Sequence, residues 1–170
     1  MKKGISILFF IAALAAGCSK SGDKSPCTNK LTLAQDRKII DSFLLANQQQ
    51  RQYTFDNQAQ VYYFVEDAGS GTTHPTIDSL VSFRYKGRLM NGTLVDSLTV
   101  KDPPTAPLRN FSSGVYVVYA LSKISKGGKI RLVIPSSIQF GCTPVQGLNR
   151  IPPNSQLVYE YELTDMTRNY

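Results

Sequence analysis

Histidine occurs once in the 170 residues, cysteine three times and tryptophan not at all. A single histidine excludes multi-histidine metal sites, and three scattered cysteines fall one thiolate short of an all-cysteine zinc site. Serine- or cysteine-nucleophile chemistry would depend on His74 alone, which sits in a Gly/Thr/Pro-rich stretch suited to a loop. Charged residues make up 18% and apolar residues 42%, a balance that argues against wholesale disorder and suits one compact domain with an appendage. No internal repeat is present. Gly69-Ser70-Gly71 and Gly127-Gly128 lack the spacing and the following helix of a phosphate-binding fingerprint. The basic excess, 19 against 12, is scattered rather than striped and reads as a solvated surface, not a nucleic-acid interface.

Long apolar runs are also scarce, apart from one at the start. Lys2 and Lys3 precede a run from Ile5 to Ala16 that is too short to span a bilayer comfortably and has the pattern of a secretory signal. Leu14-Ala15-Ala16-Gly17-Cys18 resembles the bacterial lipobox, which implies cleavage after residue 17 and lipidation of Cys18. Acyl chains contribute about 0.8 kcal/mol per buried methylene, so a multiply acylated terminus holds firmly to a membrane. An ordinary signal peptide or an uncleaved anchor is the alternative. The expected divisions are a signal peptide at 1–17, anchor and flexible tether at 18–30, an N-terminal helical extension at 31–58 and the main domain at 59–170. The expected location is the cell envelope of a bacterium, at the outer membrane or the periplasmic face. Export would leave Cys27 and Cys142 where a disulfide persists. They are candidates for one bridge, with two separate thiols the alternative.

Within the extension, Thr32-Leu33-Ala34-Gln35 has capping-box spacing, and Ile39, Ile40, Phe43 and Leu44 recur as one apolar helical face through about Ala46. Then the period changes to two. Val61–Val65 reads as an aromatic, β-branched strand, and Val81, Phe83 and Tyr85 alternate with Ser82, Arg84 and Lys86. Asn91-Gly92 marks a hairpin turn, and three prolines between Lys101 and Pro107 exclude an inner strand. Val117, Ala120, Leu121 and Ile124 predict a short helix stopped at Gly127-Gly128. Ile130, Leu132 and Ile134 alternate next, and finally Leu157, Tyr159, Tyr161 and Leu163. The class is α+β, an antiparallel sheet with a short helix on its apolar face.

Three blocks in order resemble the FKBP family of peptidyl-prolyl isomerases. Val81 to Ser97 (VSFRYKGRLMNGTLVDS) is similar to V-x-V-x-Y-x-G-x-L-x-(D/N)-G-x-x-F-D-S. Gly127 to Pro135 (GGKIRLVIP), followed by Gln139-Phe140-Gly141, is similar to G-x-x-x-x-L-x-I-P and Ala-Tyr-Gly. Ile151 to Leu163 (IPPNSQLVYEYEL) is similar to I-P-P-N-x-x-L-x-F-x-V-x-L. The resemblance covers about Ala59 to Thr167. It implies a five- to six-stranded antiparallel sheet wrapped around a short helix, no cofactor, and isomerisation of X–Pro bonds in exported polypeptide clients. It places Tyr85, Asp96, Phe140 and Tyr159 as catalytic pocket residues and Val95, Val117 and Ile151 as substrate-binding ones, Ile151 through its backbone N–H. Val95, Val117 and Phe140 depart from the family's phenylalanine, tryptophan and tyrosine. These departures imply a reduced rate, or alternatively an inactive module that binds clients or partners.

Overall fold

The computed structural model describes residues 28–49, 52–111, 115–143 and 151–167. The apolar run, Cys18 and Cys27 lie outside them, and among the described residues no helix is long and apolar enough to cross a membrane. Cys142 is disulfide-bonded.

The elements in chain order are α1 (Leu33–Ala46), β1 (Thr54–Asp56), β2 (Val61–Asp67), β3 (Leu80–Leu89), β4 (Leu94–Leu98), β5 (Ala106–Pro107), α2 (Val115–Leu121), β6 (Lys129–Ile134) and β7 (Leu157–Thr167). The sheet runs β1-β2-β6-β7-β3-β4, all pairs antiparallel, and the two-residue β5 pairs with β3. It therefore has seven strands rather than the five to six expected. The additions are β1 and β5, which span three and two residues, too few for alternation to declare a strand. Tertiary packing makes β1: Phe55 meets the Tyr62 ring at 4.9 Å.

Period-two alternation sorts the side chains to two faces. Val61, Val81, Phe83, Ile130, Leu132, Ile134, Tyr161 and Leu163 point inward and close on Ala120 and Leu121 of α2 and on Ile124 beyond it. Burial of each such aliphatic side chain contributes about 1.5–3 kcal/mol. The sheet wraps the short helix because one apolar face has to be covered along its whole length.

On the opposite face, Tyr62 and Val133 are covered by Ile40 and Leu44 of α1. The Tyr62 hydroxyl donates to Asp41 at 2.6 Å, and the Arg37 guanidinium lies 4.0 Å from the Phe55 ring centre. Beyond α1 the same face is charged: Arg131 sits 3.2 Å from Glu66 and 3.5 Å from Glu160, and Arg84 lies 3.6 Å from Glu162. These pairs are half-exposed, so each stabilises by about 1 kcal/mol at most.

The start of α1 follows its sequence. Thr32 caps it by accepting from the Gln35 amide while the Gln35 side chain accepts from the Thr32 amide, and the helix ends at Asn47. The buried stripe differs from expectation. Ile39 is 41% exposed, and the line that faces the domain is Asp36, Ile40 and Leu44, with Asp36 completely buried. The Asp36 carboxylate accepts from Ser136 Oγ (2.8 Å), the Ser137 amide (2.7 Å) and Gln156 Nε2 (2.7 Å). Burial pushes this carboxyl up, but hydrogen bonds from Ser137, Gln156 and Ser136 outweigh that and hold it below its usual value.

Candidate functional site

The inward faces of β3, β4 and β7 leave a hollow beside α2. Gly87 of β3 pairs with Asp96 of β4 on one side and Tyr159 of β7 on the other, so three neighbouring strands deliver one row to the site. Gly87 is required by close approach: a Cβ there would lie 2.7 Å from Tyr159 Cε1. Along β4 the register shifts between the Gly87–Asp96 and Arg88–Leu94 pairs. Val95 is therefore a bulge residue, and the extra residue aims Asp96 to the same face as Gly87. The hairpin before it turns at Asn91-Gly92, where Gly92 has φ +88°.

The cavity has a volume of about 600 Å³, inside the roughly 300–1,000 Å³ range of small-ligand pockets. Its walls are Phe83, Tyr85, Tyr159 and Tyr161 from the sheet and Phe111 from the 3-10 turn Leu108–Phe111. Its base is Val117 and Tyr116 of α2, and its far wall is Ile138, Gln139 and Phe140. The rings form a continuous cluster. Tyr159 stacks on Tyr161 at 5.7 Å, Tyr85 lies 6.0 Å from Tyr161 and 6.3 Å from Tyr159, and Phe83 meets Phe111 edge-on at 4.9 Å.

At the rim, the Tyr85 hydroxyl donates to Asp96 Oδ2 at 2.8 Å. Burial raises the Tyr85 phenol well above its usual range, and the hydrogen bond and charge of Asp96 raise it further. Tyr159 and Tyr161 are also raised, chiefly by burial. All three hydroxyls stay protonated at neutral pH, so the site offers a low-dielectric aromatic lining with one carboxylate at its mouth. Among the described residues no group of His, Cys, Asp and Glu side chains could hold a metal ion.

The residues singled out from sequence fall into two sets. Tyr85, Asp96, Val117, Phe140 and Tyr159 converge on the cavity. Val95 and Ile151 do not line it: both are buried with Leu157 behind Phe140 and Tyr159. Sequence reasoning missed Phe83, Tyr161, Phe111, Ile138 and Gln139. Phe83 and Tyr161 lie two residues from Tyr85 and Tyr159 on the same strands, so alternation alone could have placed them. Gln139 had no such signal. Its carboxamide oxygen is buried and has no hydrogen-bond partner among the described residues.

An antiparallel sheet wrapped on a short helix, with an aromatic hollow at their junction, defines a protein built to hold a small apolar group out of water. The sequence model of the FKBP-type peptidyl-prolyl cis-trans isomerases matches residues 71–164. The chain belongs to that family of enzymes. It is similar to the FKBP-type peptidyl-prolyl cis-trans isomerase FkpA of Escherichia coli, 40% identical over 105 residues that cover 61% of this chain and 37% of the relative. FK506-binding protein 1 of Saccharomyces cerevisiae is 37% identical over 98 residues, covering 56% of this chain and 82% of the relative. The crystal structure of E. coli FkpA superposes with a TM-score of 0.59 at 32% identity, covering 79% of this chain and 58% of that one. The chain thus spans little more than a third of the curated FkpA sequence.

Proposed function

We propose that this protein is a membrane-tethered peptidyl-prolyl isomerase of the bacterial cell envelope, assisting the folding of exported proteins by binding their X–Pro segments in the aromatic hollow. The observation that carries the reading is an open cavity of about 600 Å³ walled by Tyr85, Tyr159 and Phe140 with Asp96 at its mouth. Rotation about an X–Pro bond is opposed by about 18–20 kcal/mol of amide resonance. A planar amide is more polar than a twisted one, so a dry apolar site that seats the prolyl ring favours the twisted form and lowers the barrier by differential binding. No bond to the protein forms. In this reading Tyr85, Asp96, Phe140 and Tyr159 surround the rotating bond and Val117 supports the ring. Val95 and Ile151 back the wall.

The test is a proline-isomerisation assay on a short peptide series. The wild-type protein is expected to accelerate isomerisation at micromolar concentration. Asp96→Ala removes the acceptor of the Tyr85 hydroxyl and is expected to lower kcat/KM about tenfold. A specific observation favours a second reading, a binding module with the same hollow: among the lining residues, valine at 117 reduces ring surface and phenylalanine at 140 lacks a hydroxyl, where the family pattern has tryptophan and tyrosine. Peptide binding without acceleration would select that module.

The tether rests on the apolar run before Cys18, and the export on the disulfide at Cys142, a bond that persists in oxidising compartments. Its partner in this proposal is Cys27. The neighbouring segment runs past the Cys142 loop, with Asn29 O accepting from Asn154 Nδ2 at 2.9 Å and Asn154 N donating to Gly141 O at 2.7 Å. Cys18→Ala is expected to release the protein from the membrane fraction. Retention at the wild-type level would refute the lipid anchor.

A further inference from the structure

We propose that Asp36 is a positioning residue for the prolyl pocket: from α1 it holds the 3-10 turn Ser136–Ile138 and the strand start at Gln156 at the spacing the cavity wall needs. The inference rests on the reading of the cavity as the prolyl site. It concerns a part of the chain outside the stretch matched to the family, which begins at residue 71.

The turn Ser136–Ile138 leads directly into Gln139 and Phe140, and Ile138, Gln139 and Phe140 form the far wall of the cavity. The residue before the turn is Pro135, which supplies no side-chain cap. Asp36 supplies that cap from another element. One oxygen takes the Ser137 amide, and the other takes Ser136 Oγ and Gln156 Nε2, all within 2.8 Å. Gln156 immediately precedes β7, whose Tyr159 also lines the cavity. A single buried carboxylate therefore ties together the two segments that carry these lining residues, a hundred residues or more away from it in the chain. A second tie runs in parallel, because Leu31 N donates to Asn154 Oδ1 at 3.2 Å. The Ser137 amide at one oxygen and Gln156 Nε2, which also donates to Asn154 O, at the other face Asp36 only as donors, so an acceptor is needed at both oxygens. An asparagine would turn an N–H₂ group towards donors and leave one unpaired.

The test uses the mature chain, comparing the wild type with Asp36→Asn below its melting temperature. Steady-state kinetics on a proline-containing peptide are read beside the ¹³C methyl signals of its isoleucines. Displacing a wall by a fraction of an ångström is expected to lower kcat/KM about tenfold. The Ile138 methyl is expected to shift, while those of Ile124 and Ile130 on the core side of α2 hold their wild-type positions. A purely structural role would lower the melting temperature yet leave both the Ile138 signal and the kcat/KM of the folded protein unchanged. That result would overturn the proposal. Ser136→Ala, which removes one donor and leaves the carboxylate, covers the case in which Asp36→Asn does not fold: its expected loss is about two- to fivefold with the same Ile138 shift, and wild-type values for both would overturn the proposal equally. If the wild type itself fails to accelerate isomerisation, the enzyme reading fails separately, and the Ile138 signal with peptide affinity by titration still decides the role of Asp36.

Discussion

Gly87→Ala is expected to lower kcat/KM on a proline-containing peptide by about tenfold or more while the protein stays folded. The added Cβ would stand 2.7 Å from Cε1 and 3.0 Å from Cζ of Tyr159, inside any tolerated contact. What it meets is the far end of a side chain, not backbone, so the ring swings aside and the pairing of β3 with β7 survives. The direction of that swing matters. Tyr159 stacks on Tyr161 at 5.7 Å and faces Tyr85 at 6.3 Å, so displacement carries the ring into the hollow or breaks the stack that shapes it. Circular dichroism and a cooperative melt would establish folding, and the peptide assay would read the loss. Unaltered kinetics in a folded variant would remove Tyr159 from the working wall.

Leu132→Ala is expected to cost about 2–5 kcal/mol of stability, the range for a leucine deleted from a packed interior. Leu132 is fully buried on β6, a strand flanked on both sides by β2 and β7, and its side chain belongs to the cluster that includes Ala120, Leu121 and Ile124. Neighbours held by sheet hydrogen bonds on both edges cannot collapse into the space, so the cavity term adds to the lost transfer energy. For a domain of this size the melting temperature should fall by roughly 5–20 °C, with the denaturant m-value unchanged. A shift of only a degree or two would show that the interior repacks and that α2 is less firmly seated than the contacts around it imply.

The two variants act on different properties of one architecture. Gly87 perturbs what the hollow binds, and Leu132 perturbs what holds the hollow together. They share a strand system in which β7 is paired over its length with β3 and over its first half with β6. The aromatic row of the site is therefore mounted on the most completely hydrogen-bonded part of the sheet. A binding constellation built on strands keeps its geometry better than one built on loops. The far wall is the exception, since Ile138 ends a short 3-10 turn, Gln139 and Phe140 follow it, and the turn's Ser137 is bonded to Asp36 of α1.

Much of this was readable residue by residue. The period-two runs located β2, β3, β6 and β7 and the face each buries, because side chains alternate across a strand whatever its partners are. Thr32 and Gln35 marked the helix start, and Asn91-Gly92 the hairpin, because both signals are local hydrogen-bonding and steric facts. Tyr85, Asp96 and Tyr159 were legible as pocket residues from the family pattern, and the structure brings all three to one cavity.

What the tertiary structure alone decided concerns groups whose partners lie far away in the chain. Periodicity placed Ile39 on the buried face of α1, yet the helix rolls to bury Asp36, since three donors from Ser136, Ser137 and Gln156 wait there. Val95 looked like a pocket position and instead backs the pocket, because a register shift in β4 hands the inward place to Asp96, and Ile151 packs beside it behind Phe140 and Tyr159. Strand β1 exists only because Phe55 finds Tyr62 and α1. Hydrophobic pattern and turn chemistry are properties of neighbours in sequence, and they determined the elements and most of the core. The satisfaction of a buried charge, and which of two apolar residues opens onto a cavity, are properties of neighbours in space.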